Sequence, residues 1–246
     1  MSFKIAEDEW LSEQLGKPAY RVSITKTLTE QDRIELEEWI DDQSGLDFFM
    51  YSKIPTNDIE SVKYAERVGF NLIDTNVRLI KKNPTSKKEN KNSKVIIRFS
   101  IPDDTDAVVS IARNNFLYSR FHVDPLIYNE TANMVKGKWV ENFYRSRRGV
   151  HMVVGQAGEE IVGFLLLLIN DDTLVIDLIG VEAKWQGQGV ATAMIQFAQK
   201  YIVHKEYMVG TQIGNVPAIS LYEELGFLFS GSEYVFHFHS NTQSTP

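Results

Sequence analysis

Gln186-Gly187-Gln188-Gly189-Val190-Ala191-Thr192 follows the apolar run Leu174 to Val181 and opens a helical pattern that continues to Ile202. A glycine turn at a helix start directs backbone N–H groups outward, toward a phosphate or pyrophosphate. Gly187 and Gly189 let the backbone approach such a group with no Cβ in the way. Downstream, Asn215-Val216-Pro217-Ala218-Ile219-Ser220-Leu221-Tyr222-Glu223-Glu224-Leu225-Gly226-Phe227 puts Asn215 and Tyr222 on one helix face, two turns apart. The two segments read as a pyrophosphate site and a positioned phenol.

Other glycine loops fit less well. The phosphate loop of ATPases needs Lys-Ser/Thr after its last glycine, and Val190-Ala191 stands there. For a dinucleotide fingerprint, Gly187 and Gly189 are correctly spaced and Glu206 lies about twenty residues on, but the third glycine position is Thr192. Too little chain follows for a doubly wound sheet. A plain strand-to-helix turn without a ligand is the remaining alternative for the glycines alone.

Composition narrows the class. The chain has 246 residues, 43% hydrophobic, with a formal net charge of −7 and no cysteine. That length holds one large or two small domains with a real core. The negative charge argues against nucleic acid bound through a broad basic surface. The absence of cysteine excludes disulfides, a thiol nucleophile and cysteine zinc sites. The longest apolar run, Ile161 to Ile169, is too short to span a bilayer, and the first residues lack the apolar core of a signal peptide. A cytoplasmic protein with no membrane partner is the expectation.

Residues 81–94, Lys81-Lys82-Asn83-Pro84-Thr85-Ser86-Lys87-Lys88-Glu89-Asn90-Lys91-Asn92-Ser93-Lys94, are a linker by composition. They are expected to separate an N-terminal domain, 1–80, from a second, 95–246. The second reads as strand 95–100, a helix after Pro102 to about 117, helix 130–145, strands 150–155, 161–170 and 174–181, helix 190–202, strand 207–213, helix 215–225 and strand 232–239.

The two motifs and this β-α-α-β-β-β-α-β-α-β order resemble the GNAT family, the Gcn5-related N-acetyltransferases, over roughly residues 95–239. The resemblance implies an α/β (α+β) fold with a mixed, mostly antiparallel central sheet flanked by helices. It implies acetyl-CoA as acyl donor and a small-molecule amine as acceptor. In the family two central strands splay apart, and the pantetheine arm pairs with the exposed edge of the earlier one. Here that edge is Leu178-Ile179-Gly180-Val181, with the Ile179 N–H meeting the thioester oxygen and Asn215 bonding the arm from the other strand end. Gln186, Gly187, Gln188, Gly189, Val190, Ala191 and Thr192 would take the pyrophosphate. Tyr222 falls where the family places its general acid; a phenol of pKa about 10 is protonated at neutral pH and can donate to a departing thiolate.

Residues 58–70 align without gaps to 215–227, pivoting on Gly69-Phe70 and Gly226-Phe227, with Ala65 at the position of Tyr222. This predicts a degenerate half of the same fold in residues 1–80, folded as strand-helix-strand over 45–80. Two unrelated helices with glycine caps are the alternative.

The base is open. Asp177 lies two residues before Ile179, and alternation puts both on one sheet face. A carboxylate in so apolar a strand needs a partner. It could take the amine proton through water, bind the substrate ammonium, or only pair with a helix residue. In Ser119-Arg120-Phe121-His122-Val123-Asp124-Pro125, His122 is a second candidate, in the connection that lies beside the acceptor cleft in this fold. Arg120, Phe121, His122 and Asp124 combine a guanidinium, two rings and a carboxylate suited to a nucleotide-linked sugar; a capped surface loop is the alternative. With Trp139 and the domain layout, this loop resembles bacterial acetyltransferases acting on dTDP-4-amino-4,6-dideoxy sugars, the dTDP-fucosamine group. His151, His204, His237 and His239 read as structural, and two alternating histidines do not make a metal site. The reading allows a homodimer. Rival functions are transfer to another amine (aminoglycoside, polyamine, amino acid or protein N-terminus) and a non-catalytic acyl-CoA sensor.

Overall fold

In a computed structural model, residues 2–84, 94–149 and 151–240 are described. Residues 85–93, the body of the expected linker, lie outside them. The described chain forms two compact units. One comprises the residues up to Asn76 together with the stretch from Gly231 on; the other runs from Val77 to Ser230. These boundaries differ from the expected division at 81–94, because the compact units follow strand pairing and not composition. The last strand groups with the N-terminal unit.

The N-terminal unit contains β1(Phe3–Glu7), α1(Glu9–Leu15), β2(Ala19–Ile24), α2(Glu30–Asp42), β3(Phe49–Pro55) and α3(Ile59–Val68). β4(Asn71–Lys82) begins in it and ends in the larger unit. β1 pairs antiparallel with β2, and β2 parallel with β3. The end of the chain's last strand, residues 233–239, pairs antiparallel with β3. A capping box, Thr29 with Asp32, starts α2. The core gathers Phe3, Val22, Leu36, Met50, Ile54, Phe70 and Phe236. His237 and His239 are buried and meet the Phe49 ring edge-on at 4.7 and 5.1 Å.

The larger unit contains β5(Ile96–Phe99), α4(Thr105–Asn114), α5(Asn129–Tyr144), β6(His151–Ala157), β7(Glu160–Asn170), β8(Thr173–Val181), α6(Val190–Tyr201), β9(Glu206–Gln212) and α7(Val216–Glu224). β10(Leu228–His239) starts here and ends in the N-terminal unit. The strand order within the larger unit is β4-β9-β8-β7-β6-β5. β5 to β8 are antiparallel neighbours, and β8 and β9 run parallel. Each sheet face carries its own core, since side chains alternate across a strand. α6 closes one with Met194, Ile195 and Ala198 over Leu165, Leu167, Leu174, Ile176 and Val209. α4 and α5 close the other with Val108, Ile111, Val140 and Phe143 over Val154, Phe164, Leu166 and Leu178.

Segment 49–82 is strand-helix-strand, and its helix is bounded as α7 is. Asp58 accepts from Ser61 N at 3.2 Å where Asn215 accepts from Ala218 N at 3.3 Å. Phe70 N donates to Ala65 O at 3.0 Å, and Phe227 N to Tyr222 O at 2.9 Å. Gly69 and Gly226 stand at φ 100° and 82° between them, where a side chain would be strained.

Candidate active site

β8 changes face in mid-strand. Leu166 opposes Leu178 and Leu167 opposes Ile176, so Asp177 is the extra residue of a β-bulge. Leu174 and Ile176 belong to the α6-side core, Leu178 to the α4/α5-side core, and Ile179 and Val181 again pack against the α6 side. The expected common face of Asp177 and Ile179 is therefore wrong: the inserted residue turns Asp177 toward α5 and Ile179 toward α6.

The bulge coincides with a parting of strands. β8 pairs with β9 from Thr173↔Glu206 to Ile176↔Val209 and no further, although the strands run on to Val181 and Gln212. Leu178, Ile179, Gly180 and Val181 keep their antiparallel partners on β7. Their other side is a sheet edge inside the unit. Backbone N–H and C=O groups on such an edge require a partner, and an extended amide-bearing chain supplies one.

The glycine loop adjoins this edge. Gly187 and Gly189 take φ 70° and 80°, and a Cβ at Gly187 would meet nothing within 4 Å. The space in front of that backbone is open. The first intrahelical bond of α6 is Ala193 N to Gly189 O at 2.9 Å. The amides of Val190, Ala191 and Thr192 precede it and lack helical acceptors, an anion-binding arrangement. Gln186 and Gln188 brace the loop from behind: their Nε2 atoms donate to Val181 O at 3.0 Å and Lys184 O at 2.7 Å. Backbone, not glutamine side chains, is what the loop offers a ligand.

On the α5 side of the bulge the Asp177 carboxylate is 8% exposed and held by three donors. Trp139 Nε1 donates to Oδ2 at 2.6 Å, Arg148 Nε to Oδ2 at 2.7 Å and Arg148 Nη2 to Oδ1 at 2.8 Å. The Arg148 guanidinium also lies 4.2 Å over the Trp139 ring. Of the three roles open to Asp177, pairing is the one its contacts display. Beside it, Lys136 is 7% exposed, with Nζ 4.9 Å from the Trp139 ring centre and 5.1 Å from that of Phe116. Burial pulls its pKa down to about 8; Asp177 opposes the shift, and Arg120 and Arg148 add to it.

The loop after α4 is more buried than expected. Phe121 and Asp124 are each 2% exposed. The Arg120 guanidinium lies 4.4 Å over the Phe121 ring, and Asp124 Oδ1 accepts from Leu126 N at 2.9 Å, closing the Asp-Pro turn. Phe121 thus presents no open platform. His122 Nε2 meets Asn133 Oδ1 at 3.0 Å, and Nδ1 meets Ser119 Oγ at 2.6 Å. With a carbonyl acceptor at Nε2, that nitrogen carries the hydrogen and Nδ1 accepts from the hydroxyl. Burial lowers the His122 pKa first, Asn133 raises it, and Lys136 lowers it further.

Tyr222 lies on α7, 2% exposed, in the α6-side core with its ring 5.6 Å from Phe227. Burial raises its pKa above the ordinary phenol range, so the ring carries its proton at neutral pH. Asn215 caps α7 through Ala218 N, and its Nδ2 donates to Thr211 Oγ1 at 3.4 Å. The structure joins Asp177 to Trp139, and Arg120 and His122 electrostatically to Lys136; no described contact joins these to Tyr222.

Ser119, Asn133, Lys136 and Arg148 were not singled out from the sequence. The signal for Lys136 was present: it interrupts the stripe Ala132, Val135, Lys136, Trp139, Val140, Phe143 at helical spacing.

Residues 117–227 match the family model described as Acetyltransferase (GNAT) family. The spore coat polysaccharide biosynthesis protein SpsD of Bacillus subtilis (strain 168) is 34% identical over 142 residues, 55% of this chain and 48% of that protein. Streptothricin acetyltransferase of Escherichia coli is 35% identical over 77 residues, 30% of this chain and 44% of that protein. The chain thus spans about half the length of these curated relatives. A tandem GNAT protein from the clavulanic acid biosynthesis pathway superposes with a TM-score of 0.63 at 10% identity, over 93% of this chain and 77% of that one.

Proposed function

Because residues 117–227 form an acetyltransferase domain of the GNAT family, we propose that the protein transfers an acetyl group directly from acetyl-CoA to a primary amine, the amino group of a nucleotide-linked amino sugar. The observation that carries the donor half is the β8–β9 ladder ending at Ile176 and Val209, with the glycine loop beside the freed edge. Leu178 to Val181 would pair with the pantetheine amides. Val190, Ala191 and Thr192 would hold the pyrophosphate, and the Ile179 N–H would stabilise charge developing on the thioester oxygen. Tyr222, kept protonated by burial, would donate to the departing thiolate. Its phenol and Asn215 are assigned by their positions in the second motif.

The acceptor half is supported by two guanidinium groups, Arg120 and Arg148, against one carboxylate, Asp177, in the field at Lys136, a net positive surround. Such a surround favours an acceptor carrying phosphate and keeps its amine neutral. The likeness to a polysaccharide biosynthesis protein supports a sugar. The likeness to streptothricin acetyltransferase favours a second reading, an antibiotic amine. We further propose that the strand-helix-strand over 49–82 is a degenerate copy of the motif half, lacking the phenol at Ala65, and that the protein acts in the cytoplasm.

The test is thiol release from acetyl-CoA across amines that include dTDP-4-amino sugars and streptothricin. Turnover confined to the sugar nucleotides is expected. Turnover of streptothricin alone would replace the acceptor. Tyr222→Phe should lower kcat by roughly 100-fold or more with little change in acetyl-CoA affinity; unchanged turnover would remove the acid role.

A further inference from the structure

Three side chains beside the bulge have the chemistry of a base, and two are already committed. Asp177 Oδ2 accepts from Trp139 and from Arg148, and Oδ1 from Arg148, whose guanidinium makes a two-point fork. The His122 lone pair on Nδ1 points at the Ser119 hydroxyl, and its N–H at Asn133. Lys136 is different. Its side chain as a whole is buried, and the contacts its Nζ shows are with the faces of Phe116 and Trp139, not with a hydrogen-bond acceptor or an ion-pair partner among the described residues. Trp139 in turn bonds the residue that makes the bulge, next to Leu178 and Ile179.

We propose that Lys136 is the general base of the transfer, the group that receives the proton lost by the attacking amine; this rests on the acetyltransferase reading above. The acceptor nitrogen forms a C–N bond to the thioester carbonyl carbon, and its proton moves to the lone pair of neutral Lys136 Nζ. The C–S bond then breaks with its electron pair on sulfur, and the Tyr222 hydroxyl protonates the thiolate. Lys136 releases its proton to solvent and Tyr222 recovers one, so the net movement is one proton from amine to thiol.

The surroundings suit the role. Around Nζ stand Asp177 from β8, Arg120 and His122 from the α4–α5 connection, and Arg148 from the connection after α5. Arg113 of α4 lays its aliphatic stem against Gly137. Burial and the two arginines favour the neutral amine, and Asp177 limits the shift, leaving Lys136 at about 8. A base poised there exchanges protons readily near neutrality. The two aromatic faces then stabilise the ammonium as it forms.

Two variants separate a base from a bare positive charge. Lys136→Met removes both, whereas Lys136→Arg keeps the charge on a group that stays protonated. The base role predicts that each lowers kcat/KM at least about 100-fold and abolishes the acid limb near pH 8, with acetyl-CoA affinity retained by calorimetry. Substantial activity in Lys136→Arg would overturn it and make Lys136 an anchor for an acceptor anion. Wild-type rates in Lys136→Met would overturn it as well. A second arm needs no acceptor: the Lys136 13Cε resonance, assigned by its loss in Lys136→Arg, should titrate near 8. Titration near 10.5, the ordinary lysine value, in an active enzyme overturns the base role alone. A wild-type protein inert toward every amine sinks the acetyltransferase reading, and the base role with it.

Discussion

A lysine ammonium taken out of water loses hydration that aromatic faces replace only in part, so Lys136 costs stability whatever it does for chemistry. The sign follows from linkage. Its folded pKa, about 8, lies below the 10.5 of an unfolded lysine. Between those values the unfolded chain binds more protons, so this residue's contribution improves as pH rises from 8 to 10.5. Below pH 8 the folded state carries the full penalty, on the order of 3 kcal/mol for a shift of that size. Lys136→Met is therefore expected to be more stable than wild type in urea titrations at pH 7. Its advantage should shrink by pH 10; an equal or larger advantage there would contradict the assignment. Residue type alone gave a partial view of this site. Asp177 stood out because a carboxylate in an apolar strand demands a partner, and Trp139 did because of its ring. Lys136 was masked by a general rule, that a helical lysine is solvated, and only the packing of α5 on α4 overrides it.

At the scale of elements, the bulge at Asp177 is what lets one strand serve two cores. Were the strand to alternate regularly through Asp177, Leu178 would continue the face of Leu174 and Ile176, under α6, and Ile179 would turn toward α5. Deleting Asp177 is expected to restore plain alternation, with Leu178 still on the α4/α5 side and Ile179 still on the α6 side, but to remove the bulge together with the Trp139 and Arg148 contacts and abolish acetyl-CoA binding. Asp177→Asn should keep the bulge and most of that affinity. Equal binding by the two variants, measured by calorimetry, would mean that the bulge does not set the edge. Alternation could not reveal this irregularity. Leu174-Val175-Ile176-Asp177-Leu178-Ile179 is apolar on both faces, so a face switch leaves no mark in the pattern. The ladder's end at Ile176 is likewise a property of pairing with β9. It was expected only because the glycine loop and the Asn215–Phe227 helix resemble a family whose strands part there.

Across the whole molecule, legibility followed periodicity. From residue 95 on, the strands and helices fall within a few residues of their expected positions, because turns such as Asp171-Asp172 and the glycine loop punctuate clean apolar runs. Elements before Phe49 were not resolved from the sequence. α2 is weakly amphipathic, with charges dispersed among its apolar residues, and β1 and β2 are short. The grouping of the last strand with residues up to Asn76 was hidden for another reason: pairing between segments some 180 residues apart leaves no local trace.

The central claim is that the freed edge of β8 and the first turn of α6 together hold acetyl-CoA. Amide hydrogen exchange with and without acetyl-CoA tests it most directly. Slowed exchange is predicted at Ile179 and Val181, whose N–H groups face away from β7, and at Val190, Ala191 and Thr192, with Gly180 and the β6 and β7 interiors unchanged. Binding that leaves those five amides unprotected, or no binding at all, would contradict it.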